Sequence, residues 1–195
     1  MAGMTPHPIE QESYRILRSR IDLSHLPPLS RAVAERVVHA SADLSFAESL
    51  ILDEAALERG RAALAAGAPV VCDARMAAAG ITRREALVPL ADPRTAQRAA
   101  REGTTRSAAA MRIAAEEVGA GAVWVVGNAP TALFALLEHR PPEPALIVGL
   151  PVGFVGAADA KAALAASGLP CVTNRGERGG SAVAVAAVNA LLYAG

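Results

Sequence analysis

The sequence predicts an α/β protein of three layers, in which an open parallel sheet carries helices on both faces. Three observations predict this class. Short apolar runs rich in β-branched residues alternate with helical segments along most of the chain. Two of these runs end in glycine-punctuated junctions, 126–131 and 148–156, that lead into helices. The length of 195 residues, 52% of them hydrophobic, is enough for one domain with a substantial core.

The N-terminal third is predicted to contain three helices: one over about 10–20, one that begins after Pro27-Pro28, and one that ends at Ala66-Gly67. Apolar residues recur at helical spacing and define the buried faces of the second and third helices, at Leu29, Val33 and Val37 and at Leu57 and Leu64. Residues 1–8 carry two prolines and two methionines and are predicted to be a loose tail.

Strands and helices are predicted to alternate from residue 69 onward, which indicates a parallel sheet covered on both faces. The predicted strands are 69–72, 85–90, 123–126, 146–148 and 170–172. The predicted helices are 74–79, 93–118 with a break near Gly103, one opening at Pro130, 157–166 and 180–192. Since no repeat or linker interrupts this order, a single domain over 1–195 is expected.

The composition excludes several classes of protein. Only 19% of residues are charged and the formal net charge is +0, so no global field attracts a nucleic acid or a membrane surface. The aromatic share of 3% argues against a stacking platform for nucleic acid. Cys72 and Cys171 lie in apolar runs without disulfide or metal-ligand spacing, which indicates reduced thiols. Because the sequence shows neither a signal-peptide pattern nor an apolar stretch of transmembrane length, a cytoplasmic protein is expected.

Lysine is almost absent from the cationic side chains: Lys161 is the one lysine among 19 lysine and arginine residues. Codon usage in a GC-rich genome explains this bias without any function. Bidentate recognition of carboxylates, which arginine performs better than lysine, is the functional alternative. Both explanations stay open.

Four segments are expected to meet at the carboxyl edge of the sheet, which we call the rim: 103–109, 127–131, 149–156 and 174–182. Open α/β folds bind ligands at this edge, and helix N-termini there favour carboxylates or phosphates. The glycines at 149, 153 and 156 do not match a dinucleotide fingerprint, and no phosphate loop follows. These glycines are also explained by tight turns and close helix–sheet packing alone.

His39 is the histidine of most interest. At about 100° per residue it lies at the margin of the buried stripe, in the last turn of the second predicted helix, where the helix dipole favours the imidazolium. Asp43 follows shortly and could orient the ring. From the residues alone, a surface histidine that caps the helix is the favoured interpretation.

The residues resemble the precorrin-8X methylmutase family of cobalamin biosynthesis over nearly the whole chain. The resemblance is carried by segments in a fixed order: Ile9 to Leu17, Val38-His39-Ala40, Ala66 to Asp73, Thr105 to Ala109, Gly127 to Phe134, Gly149 to Ala157 and Arg178 to Ser181. Each segment alone is weak evidence for the family, but the whole set in this order is highly specific for it.

The resemblance implies a flavodoxin-like α/β fold, a homodimer with active sites near the subunit interface, and no cofactor or metal. The implied reaction moves a methyl group from C-11 to C-12 of the corrinoid ring and gives hydrogenobyrinate, with His39 donating a proton to a ring nitrogen. The implied contacts to the polycarboxylate substrate are Ser13, Arg15, Thr82, Thr105 and Arg106. The resemblance reverses the interpretation of His39 as a surface cap.

Two other functions are alternatives to the isomerase. A non-catalytic tetrapyrrole carrier of the same pathway would need the same binding surface, without the proton donor. A nucleotide-dependent oxidoreductase is disfavoured because both nucleotide fingerprints are absent. The sequence leaves open whether the substrate is the metal-free precorrin-8X or cobalt-precorrin-8, since the same histidine and anion sites would serve both.

Overall fold

A computed structural model describes residues 7–194 and contains a five-stranded sheet in the order β1-β5-β4-β3-β2. The strands are β1 (Leu50–Leu52), β2 (Val70–Cys72), β3 (Val123–Val126), β4 (Leu146–Gly149) and β5 (Cys171–Asn174). Strands β2 to β5 are parallel and follow one another in sequence across the sheet, while β1 pairs antiparallel with β5 at the edge.

Ten α-helices and one 3₁₀-helix surround this sheet within the described residues. The α-helices are α1 (Pro8–Arg20), α2 (Pro28–Ser41), α3 (Phe46–Ser49), α4 (Glu54–Ala65), α5 (Arg75–Gly80), α6 (Arg94–Glu102), α7 (Arg106–Glu117), α8 (Pro130–His139), α9 (Ala157–Ala166) and α10 (Ser181–Tyr193). The 3₁₀-helix is Pro89–Ala91.

The helices form two layers because alternate residues of each strand point to opposite faces of the sheet. Val123 and Val125 of β3 belong to a core with α2, α4, α5 and α10. Trp124 and Val126 belong to a second core with α7, α8 and α9. Right-handed crossovers between strands that advance in one direction place α7, α8 and α9 on the same face. The predicted fold class, a three-layer α/β protein with helices on both faces, is confirmed.

Most predicted helices are confirmed. The stripe Leu29, Val33 and Val37 is buried on α2. The predicted break of the 93–118 helix lies at Gly103, whose φ of 61° ends α6 in the left-handed conformation that favours glycine. Helix α1 begins at Pro8, where proline suits the first helical position, so it includes the last residue of the segment predicted as a tail. Residues 1–6 of that tail lie outside the described residues.

Two predictions about strands were incomplete or wrong. Strand β1 was not predicted, because it is only three half-buried residues long and follows the short helix α3. The strand predicted over 85–90 is reduced to a single parallel bridge, Leu87 with Val71. Pro89 ends this pairing, since proline has no N–H for a ladder and opens the 3₁₀-helix.

Candidate functional site

His39 is held by two side chains of α1, which packs on α2. Ser13 Oγ lies 3.0 Å from His39 Nδ1, and the ring of Tyr14 stacks on the imidazole with centroids 4.7 Å apart and planes 10° apart. Ser13, Tyr14 and His39 are half-buried. Within residues 7–194 no hydrogen bond engages Nε2 of His39, so Ser13 and Tyr14 fix the ring and leave that nitrogen for a ligand.

Asp43 has partners other than His39. Its Oδ2 accepts a hydrogen bond of 2.6 Å from Arg178 Nη1, and its Oδ1 accepts one of 3.0 Å from the backbone N–H of Ser45. These bonds, with those to Ser45 contributing most, lower the pKa of the Asp43 carboxyl. Arg178 also donates to Ser45 Oγ. Asp43 therefore ties the segment after α2 to the loop after β5, and Ser13 orients His39 instead.

Arg15 lies on the exposed face of α1, where it forms a bidentate ion pair with Glu12. Its Nε and Nη2 lie 2.7 and 2.6 Å from the Glu12 carboxylate oxygens. Both side chains are more than half exposed, at 68% and 53%, so water weakens the pair. A substrate carboxylate could replace Glu12 at little cost.

The four segments predicted to meet at the rim do so. Thr105 Oγ1 lies 2.8 Å from Thr131 Oγ1, which joins the segments 103–109 and 127–131. Gly180 N–H donates to Leu150 O at 2.8 Å, and Gly153 N–H donates to Glu177 O at 3.1 Å. Ser181 Oγ also contacts Asn128 Oδ1.

A carboxylate of the chain itself binds the backbone that leads from β3 into α8. Asp73 accepts hydrogen bonds from the backbone N–H groups of Gly127, Asn128 and Ala129, at 3.1, 2.8 and 2.8 Å. Burial raises the pKa of the Asp73 carboxyl, and the backbone donors oppose this rise. These three N–H groups are therefore engaged by the chain itself, and the expectation that the first turn of α8 binds a ligand's carboxylate stays a prediction. Asp73 was missed because its partners lie more than fifty residues along the chain.

Packing explains the glycines at two of these junctions. A Cβ at Gly127 would lie 2.8 Å from the Cα of Ser181, and one at Gly149 would lie 2.4 Å from Leu164 Cδ2. Both glycines are needed for close helix–sheet contact, with or without a ligand. At these two glycines, close helix–sheet packing is therefore a sufficient explanation, as the sequence allowed.

Arg106 is exposed at the first position of α7, after Thr105 caps the helix by accepting from Ala108 N–H at 3.1 Å. It lines a cleft of about 500 Å³ together with Arg75, which is the first residue of α5 and was not predicted as a site residue. Among residues 7–194 neither guanidinium has an ion-pair or hydrogen-bond partner. The carboxylate of this cleft, Asp92, is held by Arg94, which lowers the pKa of Asp92 to about 2.

A second cleft, of about 430 Å³, lies beside Tyr14 between α1, α2 and the end of α10. Its cations already have partners: Arg18 pairs with Glu35 at 2.7 Å and Arg36 pairs with Glu10 at 2.8 Å. The clefts therefore differ in charge, because only the one with Arg75 and Arg106 offers unpaired cations among the described side chains. A polyanion is favoured there.

Thr82 lies after α5 and is tied to α10. Its N–H and Oγ1 both donate to Asn189 Oδ1, at 3.1 and 3.2 Å, and Asn189 Nδ2 donates to Gly80 O at 2.9 Å. Within the described residues no hydrogen bond or ring contact joins Thr82 or Arg106 to the His39 group. Of the residues that the sequence singled out, Ser13 is therefore bonded to His39, whereas Thr82 and Arg106 are not.

Apolar side chains project from the rim between β4 and α9. Phe154 and Val155 are 91% and 88% exposed, and Val152 is half exposed. An exposed cluster of this kind is typical of a surface that meets a ligand or another protein. In the part of the chain described here, no group of His, Cys, Asp and Glu side chains has the arrangement of a metal site, and no helix could span a membrane.

Comparisons with known proteins agree with this architecture. Residues 8–194 match the family model described as Precorrin-8X methylmutase. A Precorrin-8X methylmutase from Sinorhizobium sp is 44% identical, with 96% of this chain and 94% of the relative covered. A Cobalt-precorrin-8 methylmutase from Salmonella typhimurium is 42% identical, with 96% and 95% covered.

A solved structure is also similar. A precorrin-8x methyl mutase from Thermus thermophilus superposes with a TM-score of 0.85 at 39% identity, with 94% of this chain and 93% of that chain covered. Family model, relatives and fold agree over nearly the full length. The chain belongs to the precorrin-8X methylmutase family.

Proposed function

We propose that the chain is an isomerase of corrin biosynthesis that moves a methyl group from C-11 to C-12 of precorrin-8X or cobalt-precorrin-8. The observation that carries this proposal is the His39 ring held by Ser13 and Tyr14 in a chain of this family. The reaction needs no nucleophile from the protein. It needs the macrocycle held in one geometry beside a fixed proton donor.

His39 acts as the proton donor in this mechanism. In the imidazolium both ring nitrogens donate, so Nδ1 donates to Ser13 Oγ while Nε2 donates to a nitrogen of the macrocycle. Protonation withdraws electron density from the conjugated ring. The bond from the methyl group to C-11 then breaks as the bond to C-12 forms, and the proton returns to His39. Substrate and product therefore contain the same atoms.

The substrate carries many carboxylates around a broad apolar disc, and two features of the rim suit it. Arg106 and Arg75, which share one cleft, would hold carboxylates by bidentate hydrogen bonds. Phe154 and Val155 would pack against the apolar ring. Thr105, Arg15 and Thr82 are proposed as further substrate contacts, as the resemblance implies.

Arg106→Gln and Arg75→Gln are each expected to raise KM by about tenfold and to leave kcat nearly unchanged, because each removes a charge-assisted contact made in ground and transition state alike. Steady-state kinetics checks this. Arg61→Gln is the matched control, since Arg61 is exposed on α4 and lies outside the cleft. Equal changes of KM in all three variants would mean that the overall positive charge matters and that the cleft binds no substrate carboxylate.

We further propose a homodimer in which a second copy completes each site. The support is that within residues 7–194 no hydrogen bond or ring contact joins Arg106 or Thr82 to Ser13, Tyr14 or His39 of the same copy. The exposed Phe154 and Val155 offer apolar surface beside the rim. A cytoplasmic location, without a nucleic acid or a membrane as partner, is supported by the formal net charge of +0 and the free thiols of Cys72 and Cys171.

The decisive experiment is a single-turnover assay with precorrin-8X and, separately, cobalt-precorrin-8. We expect stoichiometric conversion to the C-12 methyl isomer, seen as a shift of the visible spectrum. Binding without conversion of either substrate would indicate a tetrapyrrole carrier and contradict the proposal. The two relatives named for precorrin-8X and for cobalt-precorrin-8 are almost equally similar to this chain, at 44% and 42% identity. Comparison of the two conversion rates therefore decides which substrate this chain prefers.

A further inference from the structure

Lys161 is fully buried in α9, with 0% of its surface exposed. It is the one lysine among 19 lysine and arginine residues, and all the other cationic side chains of these two types are guanidinium groups. No carboxylate of the described residues forms an ion pair with it. Because burying an unpaired charge is costly, its hydrogen bonds must make up for lost hydration.

The ammonium of Lys161 binds the loop that follows β5. Its Nζ donates to Arg178 O at 2.5 Å and to Asn174 Oδ1 at 3.0 Å. Asn174 Nδ2 in turn donates to Arg178 O at 3.0 Å and to Arg175 O at 3.1 Å. Burial lowers the pKa of Lys161 to about 8, so the ammonium is still the main form at neutral pH. A compact head with several donors fits this arrangement better than a planar fork.

The turn 175–180 held in this way connects two parts of the candidate site. On one side it lies against the junction after β4, where a Cβ at Gly179 would be 2.3 Å from Leu150 O. On the other side, Arg178 reaches Asp43 in the segment that directly follows the helix of His39. The backbone of Gly179 thus lies directly against the carbonyls of Leu150 and Pro151, while Lys161 holds the adjacent carbonyl of Arg178.

We propose that Lys161 is a positioning residue that fixes the turn 175–180 at the corrinoid site through the carbonyl of Arg178. It does not touch substrate, and it acts on binding rather than on proton transfer. The kinetic part of this inference rests on the proposed function. The placement of the turn does not.

Lys161→Met removes the ammonium at similar length, and Lys161→Gln keeps one amide donor. For Lys161→Met we expect KM for precorrin-8X to rise by about tenfold with kcat changed less than about threefold, because the lost contact is a binding one. Lys161→Gln should lie between this variant and the parent chain. Hydrogen exchange at the N–H groups of Gly153 and Gly180 should become at least about tenfold faster in Lys161→Met.

Leu136→Val is the matched control, since Leu136 is fully buried in α8 and truncation lowers stability without touching the turn. It should leave KM and both exchange rates as in the parent chain. A folded Lys161→Met with parental exchange and KM would overturn the inference, as would equal changes in Leu136→Val. If the parent chain turns over no corrinoid, the proposed function fails, and the exchange rates still decide whether Lys161 positions the turn.

Discussion

His39→Ala is expected to lower kcat for methyl migration by about 100- to 10,000-fold, the range typical of a lost general acid. The physical reason is that no other group in the described contacts of His39 can supply a proton: Ser13 is an alcohol and Tyr14 faces the ring by stacking. Binding of the coloured product, followed by its visible spectrum, should change less than about threefold. The rate is measured in a single-turnover assay.

Two companion experiments sharpen the test of His39. Ser13→Ala should lower kcat by a smaller factor, about tenfold, because the ring keeps its proton but loses the bond that orients it. Mixing His39→Ala subunits with Arg106→Gln subunits should produce some sites with the parental KM if the two residues of one site come from different copies, because such a site then combines both parental residues. Parental turnover by His39→Ala would remove this residue from the mechanism.

Asp73→Ala is expected to lower the free energy of unfolding by about 3–5 kcal/mol, the largest effect on stability that we predict. Its carboxylate is 1% exposed and accepts hydrogen bonds from three successive backbone N–H groups, which would be left without a partner. Urea unfolding followed by circular dichroism measures the change.

Asp53→Ala is the matched control for this experiment. Asp53 also accepts at a helix N-terminus, but it serves one N–H, that of Ala55 at 3.2 Å, and it is exposed. Its loss should cost about 1 kcal/mol, the usual value for an N-cap. If the two variants were equally stable, the buried carboxylate would contribute no more than a surface cap does.

The helices and the central strands could be predicted because their signals are local. The buried stripe of α2 and the apolar run of β3 each specify an element without reference to the rest of the chain. Strand β1 has no such signal, since its pairing with β5 is decided by residues more than a hundred positions away. The region 85–90 shows the reverse case, in which a plausible local pattern is ended by Pro89.

The candidate site could be predicted only in part, for the same reason. Resemblance singled out Ser13 and His39, and the structure adds that they touch across 26 positions of sequence. The meeting of four segments at the rim followed from parallel topology. Asp73, Arg75 and Lys161 carried no local signal for their roles, because each role depends on partners or a cleft supplied by distant segments.

The carboxylate of Asp73 affects which ligands can bind at the backbone amides that lead into α8. In many α/β proteins the amides that open a helix after a central strand receive the phosphate of a nucleotide. Here the three amides that lead into α8 bind the buried carboxylate of Asp73, and a phosphate at this place would have to displace that side chain. At these three amides a side chain of the protein therefore competes with any phosphate, whatever the shape or size of the molecule that carries it.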